Sequence, residues 1–267
     1  MSARPLIQPA ELPDAGPCIV FDCRFSLADP EQGRREYLSG HIPGAFYLDL
    51  NCDLSGPAAR HGGRHPLPRP EDFASTLAGF GVGPSTPVIA YDDSRLAFAS
   101  RLWWLMRSLG YRPPRLLDGG YQGFLVAGGQ PEVPVPAPRA CVVDPVTAFT
   151  GYCDMGGLRA AQSRGALLVD SREAGRYQGL EEPIDPVAGH IPGAVNRPWQ
   201  GVTSADGRVR SEEDLRRHWG DALQADELVV FCGSGVTACV TLFSLALRGS
   251  DDARLYAGSG SDWCSFL

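Results

Sequence analysis

Cys232 opens the run Cys232-Gly233-Ser234-Gly235-Val236-Thr237, which follows the apolar stretch Leu228 to Phe231 and precedes a helix-like stretch, Thr237 to Arg248. In open α/β sheets, ligands bind where strands end and helices begin, so chemistry is expected here. Gly233 and Gly235 allow successive backbone N–H groups to turn toward one point, and the following helix adds its positive end. Together with the amides of Val236 and Thr237, such a cradle holds an anion, and the nearest candidate is the sulfur of Cys232. An accessible thiolate in that setting is a nucleophile able to accept a sulfur atom.

Rival chemistries lack their residues. A cysteine phosphatase needs Cys-x5-Arg, so that a guanidinium can clamp the phosphoryl group, and Ala238 stands at that spacing. No two of the eight cysteines form Cys-x-x-Cys, and the five histidines show no ligand spacing, so neither a metal nor another cofactor is expected. With 24 Lys plus Arg against 31 Asp plus Glu, the formal charge of −7 argues against a nucleic-acid partner. No apolar run approaches the roughly 18 to 20 residues that cross a bilayer, and Met1 to Gln8 carries no signal-peptide pattern. These features, with the cysteines read as free thiols, predict a cytoplasmic protein without membrane association.

Two copies of one unit must position this loop. Ile19 to Arg24 and Leu168 to Arg172 are apolar runs that both end in Asp-x-Arg. Gly40 to Ala45 recurs identically as Gly189 to Ala194, and Val88 to Asp92 aligns with Leu228 to Cys232. Arg115 to Gly119 matches Arg254 to Gly258. The proline-rich segment from Gln130 to Val146 disfavours helix and central strand. The expected division is therefore a first domain over 1–130, a linker over 131–146 and a second domain over 147–267.

Within each copy, short β-branched runs (Cys18 to Phe21, Pro87 to Tyr91, Ala166 to Val169, Leu228 to Phe231) read as parallel strands covered on both faces. Helical stretches at Glu71 to Gly79, Ala97 to Leu109, Glu212 to Trp219 and Thr237 to Arg248 alternate with them, which predicts an α/β fold with one parallel sheet per copy. In the first copy the loop equivalent to that of Cys232 begins with Asp92, so only the second copy can be the thiol catalyst.

Asp170-Ser171-Arg172, Gly175-Arg176-Tyr177, Gly189 to Ala194 and Cys232 to Ala238 together resemble a tandem-domain rhodanese, and the last is similar to the loop of 3-mercaptopyruvate sulfurtransferases. The resemblance spans nearly the whole chain. It implies two rhodanese-like domains, each a five-stranded parallel sheet flanked by helices, with a silent first domain and a persulfide carried on Cys232. It implies a small sulfur donor, 3-mercaptopyruvate or alternatively thiosulfate, and an acceptor such as cyanide, a thiol or reduced thioredoxin. A sulfur-carrier protein without catalysis of its own is the other reading, since Gly260 stands where the family has a tryptophan.

The resemblance also implies roles. Ser234 and His65, with an acid near Asp49 or Asn51, would move protons, and Arg176 would hold the donor. The family's second substrate arginine has no match, because Asp185 occupies its place, and Arg197 is the candidate to substitute for it. Arg172 has its equivalent in Arg24 of the silent copy and is read as structural. His41 and His190, in the duplicated turn, are read the same way.

Overall fold

A computed structural model describes residues 4–250 and 252–267; Met1, Ser2, Ala3 and Asp251 lie outside the described residues, the first three within the stretch read above for a signal peptide. In the first half the strands are β1 (Leu6–Ile7), β2 (Ile19–Asp22), β3 (Ala45–Tyr47), β4 (Val88–Tyr91) and β5 (Arg115–Leu117). They form a five-stranded sheet in the order β1-β5-β4-β2-β3, parallel throughout, with helices α1 (Gln32–Ser39), α2 (Pro70–Gly79), α3 (Ala99–Ser108) and α4 (Gly120–Val126).

The second half repeats it. Strands β6 (Tyr152–Cys153), β7 (Leu167–Asp170), β8 (Val195–Asn196), β9 (Leu228–Phe231) and β10 (Arg254–Tyr256) pair in the order β6-β10-β9-β7-β8, again all parallel. Its helices are α5 (Met155–Ser163), α6 (Ala174–Gln178), α7 (Glu212–Trp219), α8 (Ala238–Ala246) and α9 (Ser259–Cys264). All four residues of β4 and of β9 are buried, as expected of central strands covered on both faces. Helix α8 stops where Gly249 takes φ 76°, with the Ser250 N–H donating to the Leu245 carbonyl.

The duplicated motifs do the same structural work in each unit. Arg24 folds back on Asp22, with Nη2 2.6 Å from the carboxylate and 2.8 Å from the Gly40 carbonyl. Arg172 repeats this on Asp170, at 2.7 Å, and on the Gly189 carbonyl, at 2.6 Å. Each guanidinium thereby ties the end of a central strand to the Gly-His-Ile-Pro-Gly turn. The histidine of each turn packs flat on a tyrosine, His41 on Tyr37 and His190 on Tyr177, with Nδ1 2.8 and 2.7 Å from that tyrosine's own carbonyl.

The compact units are not contiguous in sequence. Unit 1 comprises 1–56, 68–150 and 205–209, and unit 2 comprises 57–67, 151–204 and 210–267. This differs from the simple division at the proline-rich segment, and hydrogen bonds explain part of the difference. Glu132 bridges to His41 and the Cys141 N–H donates to the Ala78 carbonyl, so the segment is pinned along unit 1, and just beyond it the Thr150 N–H donates to the Ser108 carbonyl. Phe149 reinforces the attachment by packing near Phe73 and Trp104. The 57–67 strap, by contrast, belongs with unit 2, and this brings His65 and its neighbours into that unit. Among the described residues, no helix is long and apolar enough to cross a membrane.

Candidate active site

The unit 2 sheet delivers Cys232 as the first residue after β9, ahead of the turn that leads into α8. Gly235 makes that turn with φ 78°, and a Cβ there would lie 2.3 Å from the Ala257 carbonyl oxygen, so only glycine fits. The loop's carbonyls are also held: the Gly260 N–H donates to Cys232 O at 3.0 Å and the Ser261 N–H to Gly233 O at 2.8 Å. Ser259, itself at φ 55°, accepts the Cys232 N–H on its hydroxyl at 3.1 Å and donates to the Tyr256 carbonyl.

Cys232 is 2 % exposed, a more enclosed sulfur than the accessible thiol the sequence suggests. Residues of α9 are bonded across the loop and account for part of this cover. The described apolar cluster of unit 2 is built from Cys153, Met155, Leu158, Val229, Phe231, Tyr256 and their neighbours, and Cys232 is not among its members. Cys239, on α8, donates its thiol to the Gly235 carbonyl at 3.4 Å.

Ser234 and His65 meet. His65 Nδ1 lies 2.8 Å from Ser234 Oγ, and both residues are buried. The acid expected to complete a triad is occupied locally: Asp49 Oδ1 accepts the N–H groups of Asn51 and Cys52 at 2.7 and 2.9 Å. Asn51 is exposed.

Arg176 reaches the loop, and a second arginine reaches it from a place that sequence comparison did not suggest. A Cβ on Gly233 would sit 3.1 Å from Nη2 of Arg64 and 3.3 Å from Nη1 of Arg176. Asp185 brackets the two, its Oδ1 paired with Arg64 Nη1 and its Oδ2 2.8 Å from Arg176 Nη2. Glu182 sits beneath, accepting from Arg176 at 2.7 Å and from Arg172 at 3.1 Å. Burial pushes the Glu182 carboxyl up, but Arg176 and two backbone N–H groups outweigh it and hold the carboxyl below its ordinary value. Asp185, which stands where a second arginine was sought, is paired with two arginines, Arg176 and the strap's Arg64.

Arg197 is engaged with backbone elsewhere in unit 2. Its guanidinium donates to the carbonyls of Trp219 and Asn196, at 3.0 and 2.8 Å, which secures the C-terminal end of α7. The signal for Arg64 was present as the residue before His65, but its use depends on an ion pair 121 positions away in sequence. No group of three or more His, Cys, Asp or Glu among the described residues could hold a metal ion.

Comparison with known proteins agrees with this architecture. The Rhodanese-like domain model matches residues 8–127 and again 155–266. The Pseudomonas aeruginosa protein named "Probable 3-mercaptopyruvate sulfurtransferase" is 42% identical, over 92% of this chain and 88% of its own length. The 3-mercaptopyruvate sulfurtransferase of Homo sapiens is 36% identical over 98% of this chain and 91% of its own. The solved structure of 3-mercaptopyruvate sulfurtransferase from Leishmania major superposes with a TM-score of 0.88 at 32% identity, covering 98% of this chain and 74% of that one. Both halves having matched the same domain model, with identity sustained across nearly the full length, the chain belongs to the rhodanese family.

Proposed function

We propose that the chain is a 3-mercaptopyruvate sulfurtransferase that passes sulfur to a thiol or cyanide through a persulfide on Cys232. The observation that carries this reading is the 2.8 Å approach of His65 Nδ1 to Ser234 Oγ, two residues beyond the nucleophile. A hydroxyl and imidazole pair is useful when the group leaving sulfur is a carbon that must be protonated. Sulfite leaving thiosulfate needs no such proton.

In the first half-reaction the Cys232 thiolate attacks the donor sulfur. An S–S bond forms, the C–S bond breaks, and its electron pair goes to carbon as the pyruvate enolate. Ser234 protonates that carbon and is reprotonated from His65, and the S–H proton of the new persulfide restores His65. The products are pyruvate and the Cys232 persulfide anion, with no outside proton required. Arg64 and Arg176 hold the donor's carboxylate, each with one guanidinium nitrogen on Asp185 and another beside Gly233. In the second half-reaction cyanide or a thiolate attacks the outer sulfur, and the S–S electron pair returns to Cys232. A small thiol or reduced thioredoxin in a cytoplasmic setting is the acceptor of this reading, which is consistent with eight free cysteines.

The charges near the loop also favour a monoanionic donor. Arg64, Arg172 and Arg176 are matched by Asp170, Glu182 and Asp185, which leaves no net positive field for a dianion such as thiosulfate. The test is kcat/KM for mercaptopyruvate and thiosulfate side by side, with Cys232→Ser as control. A clear preference for mercaptopyruvate, abolished in the variant, is the expected result; a preference for thiosulfate makes the chain a thiosulfate:cyanide sulfurtransferase instead. Mass spectrometry that finds sulfur on Cys232 but no release to any acceptor makes it a carrier.

A further inference from the structure

The strap that brings His65 to Ser234 has its own anchor. Ser261, in the first turn of α9, donates its backbone N–H to the Gly233 carbonyl at 2.8 Å. Its hydroxyl accepts the backbone N–H of Arg64 at 3.1 Å and donates to the Gly258 carbonyl at 3.2 Å. Ser234 follows Gly233 in sequence, and His65 follows Arg64. The path from Ser261 through Gly233, Ser234, His65 and Arg64 back to Ser261 is thus a closed ring of hydrogen bonds and peptide links. The neighbouring contacts hold it in register: Asp262 Oδ1 accepts the Gly62 N–H at 2.7 Å, while the Tyr256 hydroxyl donates to Asp262 Oδ2 at 2.7 Å. Gly63, at φ 85°, passes so near the Gly258 carbonyl that a Cβ would lie 2.4 Å from it.

We infer that Ser261 is a positioning residue: it sets the spacing between the strap and the nucleophile loop, and through it the contact of His65 with Ser234. The inference rests on the mercaptopyruvate reading for its kinetic consequence but not for its structural one. A ring of this kind matters most to the step that moves a proton onto carbon. Discharge of an existing persulfide by cyanide, where sulfur alone is transferred, does not require it.

Two variants and two readouts test this. In Ser261→Ala, single-turnover loading of Cys232 from mercaptopyruvate should slow by about tenfold, the order expected when a proton donor is displaced by a fraction of an ångström. Discharge of the loaded enzyme by cyanide should stay within about twofold of the parent, and Ser261→Thr, which keeps the hydroxyl, should recover loading. Equal slowing of both half-reactions would indicate a general distortion of the loop and overturn the inference, as would no slowing at all. Amide hydrogen exchange supplies the readout independent of the donor: the Arg64 amide should exchange faster in Ser261→Ala and regain protection in Ser261→Thr. Unchanged Arg64 exchange would overturn the inference even in a protein that loads no sulfur from mercaptopyruvate. Faster exchange with no loading in the parent protein would count against the proposed function alone.

Discussion

Asp92 and Cys232 hold the same position in the two units, each the first residue after the central strand, and the Asp92 carboxylate shows what that position does to an anion. It accepts backbone N–H groups from Ser94 and Leu96 on Oδ1 and from Phe98 and Ala99 on Oδ2, at 2.9 to 3.0 Å. Burial raises the Asp92 carboxyl above its ordinary value, and the four amide donors oppose that rise. Asp92→Ala leaves four backbone donors, three of them buried, without this acceptor and should destabilise unit 1 by about 3 kcal/mol or more. Hydrogen exchange along α3 measures that loss, and unaltered protection there would show that the cradle tolerates being empty.

Arg64→Gln tests the strap's charge. One charge-assisted contact to a carboxylate contributes about 1.5 to 3 kcal/mol, so kcat/KM for mercaptopyruvate should fall by roughly ten- to hundredfold. Mercaptoacetone, which has the same keto group and sulfur without the carboxylate, should be used equally well by parent and variant. A parallel loss with both donors would assign Arg64 to folding rather than to recognition.

Gly235→Ala separates steric from conformational cost. Arg95 occupies the matching turn of unit 1 at φ 62°, so a side chain can adopt this backbone. What forbids it at 235 is the Ala257 carbonyl, 2.3 Å from the new Cβ. The variant should lose about 2 kcal/mol or more of stability and most of its sulfur loading, since relief of the clash must move the loop or β10. Denaturant titration and single-turnover loading report the two effects.

His218 gives unit 2 a sensitivity to acid. Burial, with Arg197 and Arg210 adding like charge, lowers its pKa below the usual 6.5, and Nε2 is a buried atom with no hydrogen-bond partner among the described residues. A histidine that protonates more readily when unfolded contributes stability that is intact above about pH 6.5 and declines as the pH falls. Denaturation midpoints of the parent protein should decrease below that pH, and His218→Gln should flatten the decline; identical profiles would remove His218 from the account.

Much of this was legible in the sequence. The repeat fixed the duplicated sheet because Asp-x-Arg and Gly-His-Ile-Pro-Gly are local patterns whose bonds, Arg24 to Asp22 and His41 to Tyr37, close over a few residues. The turn from Cys232 to Thr237 was legible as a strand-to-helix junction from its two glycines, although the bonds that hold it, from Cys232 to Ser259 and from Ser234 to His65, reach far along the chain. The placement of Arg64 was not legible, since it depends on Asp185 and Gly233, neither of them near it in the chain. Asp185 looked like the loss of a cation, because sequence alone cannot distinguish a missing arginine from a carboxylate that grips one from elsewhere. The proline-rich segment was read as a linker from its composition, and hydrogen bonds to His41 and Ala78 tie it to unit 1.

The membership of 57–67 in unit 2 bears on how the protein can be dissected. A gene fragment begun after the proline-rich segment would encode Cys232, Ser234 and Asp185 but leave behind His65 and Arg64, which bond to Ser234 and Asp185. Unit 2 therefore cannot be excised as one stretch of chain, because residues 57–67, which complete it, are encoded inside the first copy of the repeat.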